Sequence, residues 1–395
     1  MHETRRPDAF RITEKFAELL TSHGLADNEQ LLRAALKFEI LANGVRPTAR
    51  AAERLNLGSP QSPSRPRRTR SGVSGGLDLD FGSGIFVNAP VLERYATDSL
   101  IELDFRDGFV LTWPSGGISV SVLPPPHFYG RPLDGGGQPL EKVAQMCSGD
   151  RLCFGITGPG CSFWPAAERC AYCSIGMNRE ADMSKKTTDE LLQVVDAAVA
   201  DPARPARHLL LGGGTPRGDD MGASICARLT RLVKAKHDLP VYVMIAAPLQ
   251  DASIRELADA GVDELGMNLE FWTEESWRTI IPGKNRRIGK DRYLKALEYA
   301  GEVFGPVRAR SIVIVGLEHR SASLQAVTEL ASRNVMPILS PFRPLDGTTL
   351  QDSRGFDGPT YQDLYADAVV AAAKFGLPVG PTCLPCQNNV LALPV

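Results

Sequence analysis

Short apolar segments alternate with helical ones over the second half of the chain, and this alternation limits the fold most. Six segments predict strands, and the stretches after each of them predict helices. The predicted strands are 152–157, 208–213, 241–246, 264–270, 309–316 and 336–341, and the predicted helices are about 187–200, 219–235, 251–260, 290–304, 321–333 and 360–375. Such alternation indicates βα units on a parallel sheet. We therefore predict an α/β fold built on a partial (β/α)6 TIM-type barrel, whose chemistry gathers on the loops after the strands.

The first part of the chain predicts an N-terminal helical and small β extension to this barrel. Apolar residues recur at helical spacing early in the chain, and short alternating runs follow after a segment rich in Pro, Ser, Gly and Arg. The predicted divisions are an N-terminal helical segment (1–56), a flexible linker (57–76), a small β-rich unit (77–150), the barrel (151–350), and a C-terminal helix with a cysteine-containing tail (351–395).

Composition narrows the class of protein. The chain is 43% hydrophobic and 23% charged, with a formal net charge of -2. This near balance is typical of a globular protein and argues against a general nucleic-acid binder. Because the start lacks an apolar signal segment and no run of about 18 apolar residues exists, we expect a cytoplasmic protein without a membrane partner. Cysteines in such a chain are more typical of metal or catalytic sites than of disulfides.

Three cysteines, Cys161, Cys170 and Cys173, stand in the run CSFWPAAERCAYC directly after the first predicted strand. Three thiolates without a fourth ligand nearby suit a [4Fe–4S] cluster that keeps one iron free of protein ligands. Structural zinc is the alternative, but zinc sites are usually closed by four ligands. The nearest further cysteines are Cys147 and Cys153, upstream of a Gly-Pro-Gly turn.

The pair Cys170 and Cys173, with Tyr172 before the last cysteine, resembles the radical S-adenosylmethionine (SAM) superfamily, whose usual signature is C-x3-C-x2-C. This chain departs from it with eight residues in the first gap. The resemblance implies an oxygen-sensitive enzyme in which a [4Fe–4S] cluster on the three cysteines cleaves SAM reductively. The resulting 5′-deoxyadenosyl radical would abstract hydrogen from a small-molecule substrate. A reducing partner such as flavodoxin or ferredoxin is implied, and Tyr172 would line the adenine.

Motifs after the second and fourth predicted strands extend the resemblance. The run Gly212, Gly213, Gly214 and Thr215 resembles the motif that holds the SAM amino group through backbone carbonyls, although a glycine triplet also suits a tight turn. Asn268 and Glu270 resemble the Asn-Leu-Glu segment of biotin synthase-like members, near the SAM ribose or the substrate. Because side chains alternate along a strand, both point to one face. A structural hydrogen-bonding role suits them equally.

The fifth and sixth predicted strands supply further candidates. Gly316 resembles a superfamily glycine beside the adenine. Arg310 is a charged residue among apolar ones, and a contact with the SAM carboxylate or a position between sheet and helices would each account for it. Arg343, at the end of the sixth strand, is a candidate for contacting substrate or SAM. We take Glu270 and Arg343 as the catalytic candidates.

The tail carries Cys383 and Cys386, a spacing that supplies half of a metal site. Since the tail has little apolar material, we expect it to lie over the open mouth of the barrel and to serve substrate placement or an auxiliary metal site with Cys147 and Cys153. The segments RRTRSGVSGG and PTCLPCQNN and the long cysteine gap resemble an uncharacterised radical SAM group encoded beside a nitrilase in bacteria. That resemblance implies a role in nitrile- or cyanide-related nitrogen metabolism.

Two other functions stay open from the sequence. The chain could insert sulfur or transfer a methyl-derived group with an auxiliary cluster at the tail cysteines. It could also be a zinc-stabilised binding protein without catalytic activity.

Overall fold

A computed structural model of the chain describes residues 11–57 and 75–394. Residues 1–10 and nearly all of the predicted linker lie outside this part. Two sheets carry the fold, a six-stranded one formed by the earlier residues and a seven-stranded one formed by the later residues. Within the described residues, no helix has the length and apolar character that crossing a membrane requires.

The first sheet is a mostly antiparallel unit flanked by three helices. The helices are α1 (Glu14–Ser22), α2 (Asn28–Asn43) and α3 (Ala49–Arg54), and the strands are β1 (Arg46–Pro47), β2 (Leu77–Asp80), β3 (Phe86–Ala89), β4 (Glu102–Phe105), β5 (Phe109–Trp113) and β6 (Gly116–Val122). Their order in the sheet is β1-β4-β5-β6-β2-β3, and only the β1–β4 pair is parallel. The predicted small β unit is therefore present.

The second sheet is the predicted partial barrel. Its strands are β7 (Ala144–Met146), β8 (Arg151–Gly155), β9 (His208–Gly212), β10 (Val241–Met244), β11 (Glu264–Gly266), β12 (Ala309–Val315) and β13 (Met336–Pro341). Their order in the sheet follows the order in the sequence, and β8 to β13 are parallel, while β7 pairs antiparallel with β8. The fold class is confirmed. The domain boundaries stay a prediction.

Helices follow the barrel strands and pack on the sheet. They are α4 (Thr188–Val199), α5 (Ala223–Lys234), α6 (Asp251–Asp259), α7 (Glu274–Thr279), α8 (Pro282–Arg287), α9 (Lys290–Phe304), α10 (Arg320–Ser332) and α11 (Gly358–Ala373). Local signals fix several ends. Thr187 and Glu190 form a capping box at the start of α4, which satisfies backbone donors that the helix leaves free. The short helices α7 and α8 were not predicted.

One predicted strand is much shorter in the structure. The apolar run 264–270 predicted a strand of seven residues, but the ladder of β11 ends at Gly266. Glu270 has a positive φ of 66°, which bends the backbone out of the regular strand conformation. An isolated bridge between Glu270 and Val313 restores one contact with β12. This bend places the Glu270 side chain beside the loops at the carboxyl ends of the strands.

The tail, defined here as residues 377–394, closes the side of the barrel between its two edge strands. The Leu391 amide donates to Leu339 O of β13 at 2.8 Å. At the other edge, the Ser148 hydroxyl donates to Cys386 Sγ at 3.8 Å in the turn between β7 and β8. Leu391 and Leu393 belong to the main hydrophobic core. The expectation that the tail has too little apolar material to be core is therefore wrong.

Candidate active site in the barrel

The three predicted cluster ligands lie on one loop after β8. All three cysteines have intermediate burial, and none of them forms a disulfide within the described residues. The Thr215 amide donates to Cys161 Sγ at 3.4 Å, and the Cys173 amide donates to Cys170 O at 3.1 Å. The loop therefore stands at the carboxyl ends of the parallel strands, where barrel enzymes carry their active sites.

The long first cysteine gap is held by the segment that contains α7 and α8. The Gly283 amide donates to Glu168 O at 3.1 Å, and a side chain at Gly283 would meet that oxygen at 2.5 Å. The Arg287 guanidinium lies over the Phe163 ring at 4.8 Å and pairs with Glu168 at 3.5 Å. The extra residues of the gap thus pack on this helical segment and do not form an unsupported loop.

The glycine run after β9 packs against the cysteine loop. A side chain at Gly214 would meet Gly160 O at 1.8 Å, so only glycine permits this approach. Gly213 has a φ of 109°, a conformation that side chains disfavour. The Ser162 amide donates to Thr215 O at 2.7 Å. The two loops therefore form one backbone-lined surface beside Cys161.

Glu270 is buried next to this surface and is half paired. Lys284 Nζ donates to Glu270 Oε1 at 2.6 Å, while Glu270 Oε2 is buried without a hydrogen-bond partner among the described residues. Burial alone would lower the pKa of Lys284, but the Glu270 charge outweighs it and holds that pKa above its ordinary value. Lys284 is thus held in its charged form. Asn268 Oδ1 accepts from the Ile312 amide at 3.4 Å and also faces the barrel interior.

A cavity of about 370 Å³ fills the barrel and joins these groups. Predicted site residues that line it are Tyr172, Cys173, Gly212, Gly213, Asn268, Glu270, Arg310, Arg343 and Cys386. Gly214, Thr215, Cys161 and Cys170 lie behind this surface. Gly316 is also outside the lining, since its φ of 111° and close packing on Tyr361 and Gly355 make it a turn residue at the end of β12.

The two predicted arginines occupy different parts of the cavity. Arg310 lies at the amino end of β12, where it pairs with Glu264 and stacks over the Tyr242 ring at 5.1 Å. It is thus at the far end from the cysteine loop, and the structure does not bring it to a SAM carboxylate there. Arg343 follows the carboxyl end of β13 and donates to Asn88 Oδ1 and Asn88 O at 3.2 Å each.

The tail cysteines do not cover the mouth of the barrel. Cys383 and Cys386 lie at the amino ends of β8 and β9, where Cys386 Sγ is 3.3 Å from His208 Nε2. The expected partners Cys147 and Cys153 are joined to each other as a disulfide between β7 and β8, with Cα atoms 6.0 Å apart. The expectation that these cysteines are unbridged is wrong, because the antiparallel pairing of β7 with β8 brings them side by side.

Comparison with known proteins agrees with this geometry. The profile of the radical SAM superfamily matches residues 156–330, which include the cysteine loop and β9 to β12. Residues 156–330, somewhat less than half of the chain, thus match the radical SAM superfamily. Members of this superfamily use a [4Fe–4S] cluster and S-adenosylmethionine. The predicted family and cofactors are therefore confirmed, whereas the link to a nitrilase stays a prediction.

Individual relatives of the chain are distant. Bacteriochlorophyllide c C-7(1)-hydroxylase of Chlorobaculum limnaeum is 28% identical over 160 residues, which cover 40% of the chain and 37% of the relative. Biotin synthase of Burkholderia cenocepacia is 28% identical over 196 residues, covering 48% and 55%. The chain thus spans about a third to a half of the length of these curated relatives. Among solved structures, methylornithine synthase aligns with a TM-score of 0.44 at 15% identity, covering 58% of this chain and 70% of that one.

Sequence reasoning missed several residues of the site. Lys284 stands in a short helix with no motif around it, and Asn88 comes from the N-terminal β unit. Asp150 and His208 flank strands and are more than fifty residues apart in sequence. Only the position of His208 at the first residue of a strand that ends in the glycine run could have indicated a role for it.

Proposed function

We propose that this chain is an enzyme that cleaves SAM reductively and uses the 5′-deoxyadenosyl radical to abstract hydrogen from a small metabolite. One observation carries the proposal. Cys173 of the cysteine loop, Gly212 and Gly213 of the glycine run and Glu270 line one cavity, and Glu270 Oε2 has no hydrogen-bond partner among the described residues. A cavity of this size suits a small molecule.

The residues fit the two cofactors. Cys161, Cys170 and Cys173 would hold the cluster, with one iron left open for SAM. Bound together, the cluster and SAM supply the electron and the carbon radical. The backbone of Gly212 to Thr215 would orient the SAM amino group. Glu270 Oε2, a buried acceptor without a donor, would take a ribose hydroxyl, because a buried acceptor that stays unsatisfied costs about 1–3 kcal/mol.

The floor of the cavity supports an anionic group on the substrate. The guanidinium groups of Arg151 and Arg310 both lie over the Tyr242 ring, at 5.9 and 5.1 Å from its centroid. Arg310 is neutralised by Glu264, but Arg151 Nε is buried without a hydrogen-bond partner among the described residues. Arginine in such a place suits a carboxylate or phosphate. Arg343, near the mouth, would contact the same substrate from its other side.

The proposal includes the electron donor, the location and the metabolic role of the enzyme. A flavodoxin or ferredoxin in the cytoplasm would supply the electron. A role in nitrile- or cyanide-related nitrogen metabolism is supported by the resemblance of the linker, the cysteine gap and the tail to the nitrilase-linked group.

Single replacement of Cys161, Cys170 or Cys173 by alanine tests the assignment. After anaerobic reconstitution, each variant should lose most of its cluster iron and all production of 5′-deoxyadenosine, because one lost ligand opens the cluster to solvent. Cys226→Ala is the control, since Cys226 is fully buried in α5. A loop variant with the full iron content and the activity of the Cys226→Ala protein would refute these ligands.

A further inference from the structure

Four potential ligand atoms converge at the amino ends of the barrel strands. They belong to Asp150, His208, Cys383 and Cys386 and all lie within 4.8 Å of one another. Asp150 precedes β8, and His208 is the first residue of β9. The two cysteines come from the tail and are 233 and 236 residues from Asp150 in sequence. The tertiary fold therefore brings this group of four side chains together.

The distances match a tetrahedral ion. In a zinc site with bonds of about 2.0–2.3 Å, neighbouring ligand atoms are roughly 3.3–3.8 Å apart. Here His208 Nε2 is 3.3 Å from Cys386 Sγ and 3.6 Å from Cys383 Sγ. Asp150 Oδ1 is 2.9 Å from His208 Nε2 and 3.9 and 4.0 Å from the two sulfurs. One ion at the centre would reach all four atoms with shifts of a few tenths of an ångström.

The arrangement does not suit a nucleophilic Cys-His-Asp relay. In such a relay the thiol contacts one ring nitrogen and the carboxylate orients the other. Here both sulfurs and the carboxylate face the same atom, His208 Nε2. Four groups that point at one place are the arrangement of a metal centre. An iron–sulfur cluster would need the ligands further apart, because each iron takes its own.

The surroundings hold these ligands in place. Arg204 donates to Ser148 O at 2.8 Å and to Gly149 O at 3.2 Å, which fixes the turn that carries Asp150. The same guanidinium pairs with Asp78 at 2.8 Å, and Asp78 accepts from Asn388 Nδ2 in the tail at 2.9 Å. Ligands with fixed supports of this kind form metal sites at small entropic cost.

We propose that Asp150, His208, Cys383 and Cys386 bind one zinc ion that fastens the tail to the amino ends of the barrel strands. Two thiolates with imidazole favour zinc over oxygen-preferring cations. With four protein ligands the site is closed, so its role is structural. The site is separate from the loop cysteines and does not depend on the proposed SAM chemistry.

Metal analysis of the full chain tests the proposal. Protein purified from cells supplied with iron and zinc should contain about one zinc per chain. The Cys161→Ala/Cys170→Ala/Cys173→Ala variant should lose its iron and keep the zinc, whereas Cys383→Ser/Cys386→Ser should lose the zinc and keep the loop iron. His208→Ala should also lose the zinc. His237→Ala is its matched control and should keep it, because His237 also pairs with an aspartate, Asp196, at 2.8 Å but has no cysteine partner among the described residues.

A second measurement needs no variant. In the wild-type chain, zinc should protect Cys383, the less buried of the two tail cysteines, from alkylation, and removal of zinc with a chelator should make it reactive. Zinc content unchanged in Cys383→Ser/Cys386→Ser, or alkylation independent of zinc, would overturn the proposal. Loss of iron instead of zinc from that variant would overturn it too and would indicate an auxiliary iron–sulfur cluster.

Discussion

At the carboxyl ends of the barrel strands three cysteines share one loop, whereas at the amino ends two cysteines of the tail meet a histidine and an aspartate of the sheet. The loop cysteines are partly accessible and stand beside glycines and an ion pair. The tail cysteines are fastened by buried apolar residues and hydrogen bonds. Cysteines thus lie together on one loop at the carboxyl ends, whereas at the amino ends they lie where segments distant in sequence meet.

This contrast predicts that a substitution in the tail lowers the free energy of unfolding and leaves SAM cleavage unchanged. Leu391 is fully buried, and Leu391→Ala should lower the free energy of unfolding by about 2–5 kcal/mol. The measurement is denaturant unfolding under anaerobic conditions, and SAM cleavage per bound iron should not change. Leu384→Ala, in the same tail but 37% exposed, should cost less than about 0.5 kcal/mol. Equal losses in both variants would remove the distinction.

A substitution in the glycine run should instead weaken SAM binding. Gly213→Val should weaken SAM binding at least about tenfold, roughly 1.4 kcal/mol, because the branched side chain is strained at φ 109° and meets Gly155 at 3.3 Å. Gly137→Val is the control, since φ is 115° there and nothing lies within 4 Å. Calorimetric SAM affinity that falls equally in both variants would reduce the effect to general backbone strain.

The third expected effect is gradual: it is a pH dependence of stability that belongs to the tail end. Lys37 is fully buried and donates to Gln387 O at 2.8 Å and Ala392 O at 2.6 Å. Burial lowers its pKa from 10.5 to about 7. Between these values the unfolded chain holds more protons than the folded one, so stability should rise with pH by on the order of 1 kcal/mol per unit.

The Lys37→Met variant isolates that contribution. The free energy of unfolding of the wild type, measured relative to that of the variant, should rise between pH 7 and pH 10, because only the wild type gains stability there. A difference that stays constant over this range would show that Lys37 is not the titrating group.

The sequence allowed the cysteine loop to be predicted but not the position of the tail, and the reason is physical. The loop cysteines fall within thirteen residues, so their spacing and Tyr172 are readable as a motif. Strands β8 to β13 were also predictable, because apolar runs between helices leave few other folds. In contrast, His208 and Cys383 are 175 residues apart. Nothing local relates them, and the tail was therefore assigned to the wrong end of the barrel.

Local sequence patterns also gave wrong or incomplete predictions at positions where tertiary contacts determine the conformation. The run 264–270 has the alternation of a long strand, but positive φ at Glu270 and the pairing with Lys284 end the ladder early. Arg310 looked unusual among apolar residues, and only the structure shows that Glu264 neutralises it. In both cases the deciding partner is far away in sequence.

The closure of the sheet by the tail has a consequence for biosynthesis. The Leu339 carbonyl on the edge strand β13 receives its donor from Leu391, which the ribosome adds only after all seven strands of the sheet. Until then the nascent barrel presents an unpaired edge, the kind of surface that recruits other chains. The last step of folding therefore follows translation of the whole sheet, and a chaperone that covers β13 until then should raise the yield of native protein.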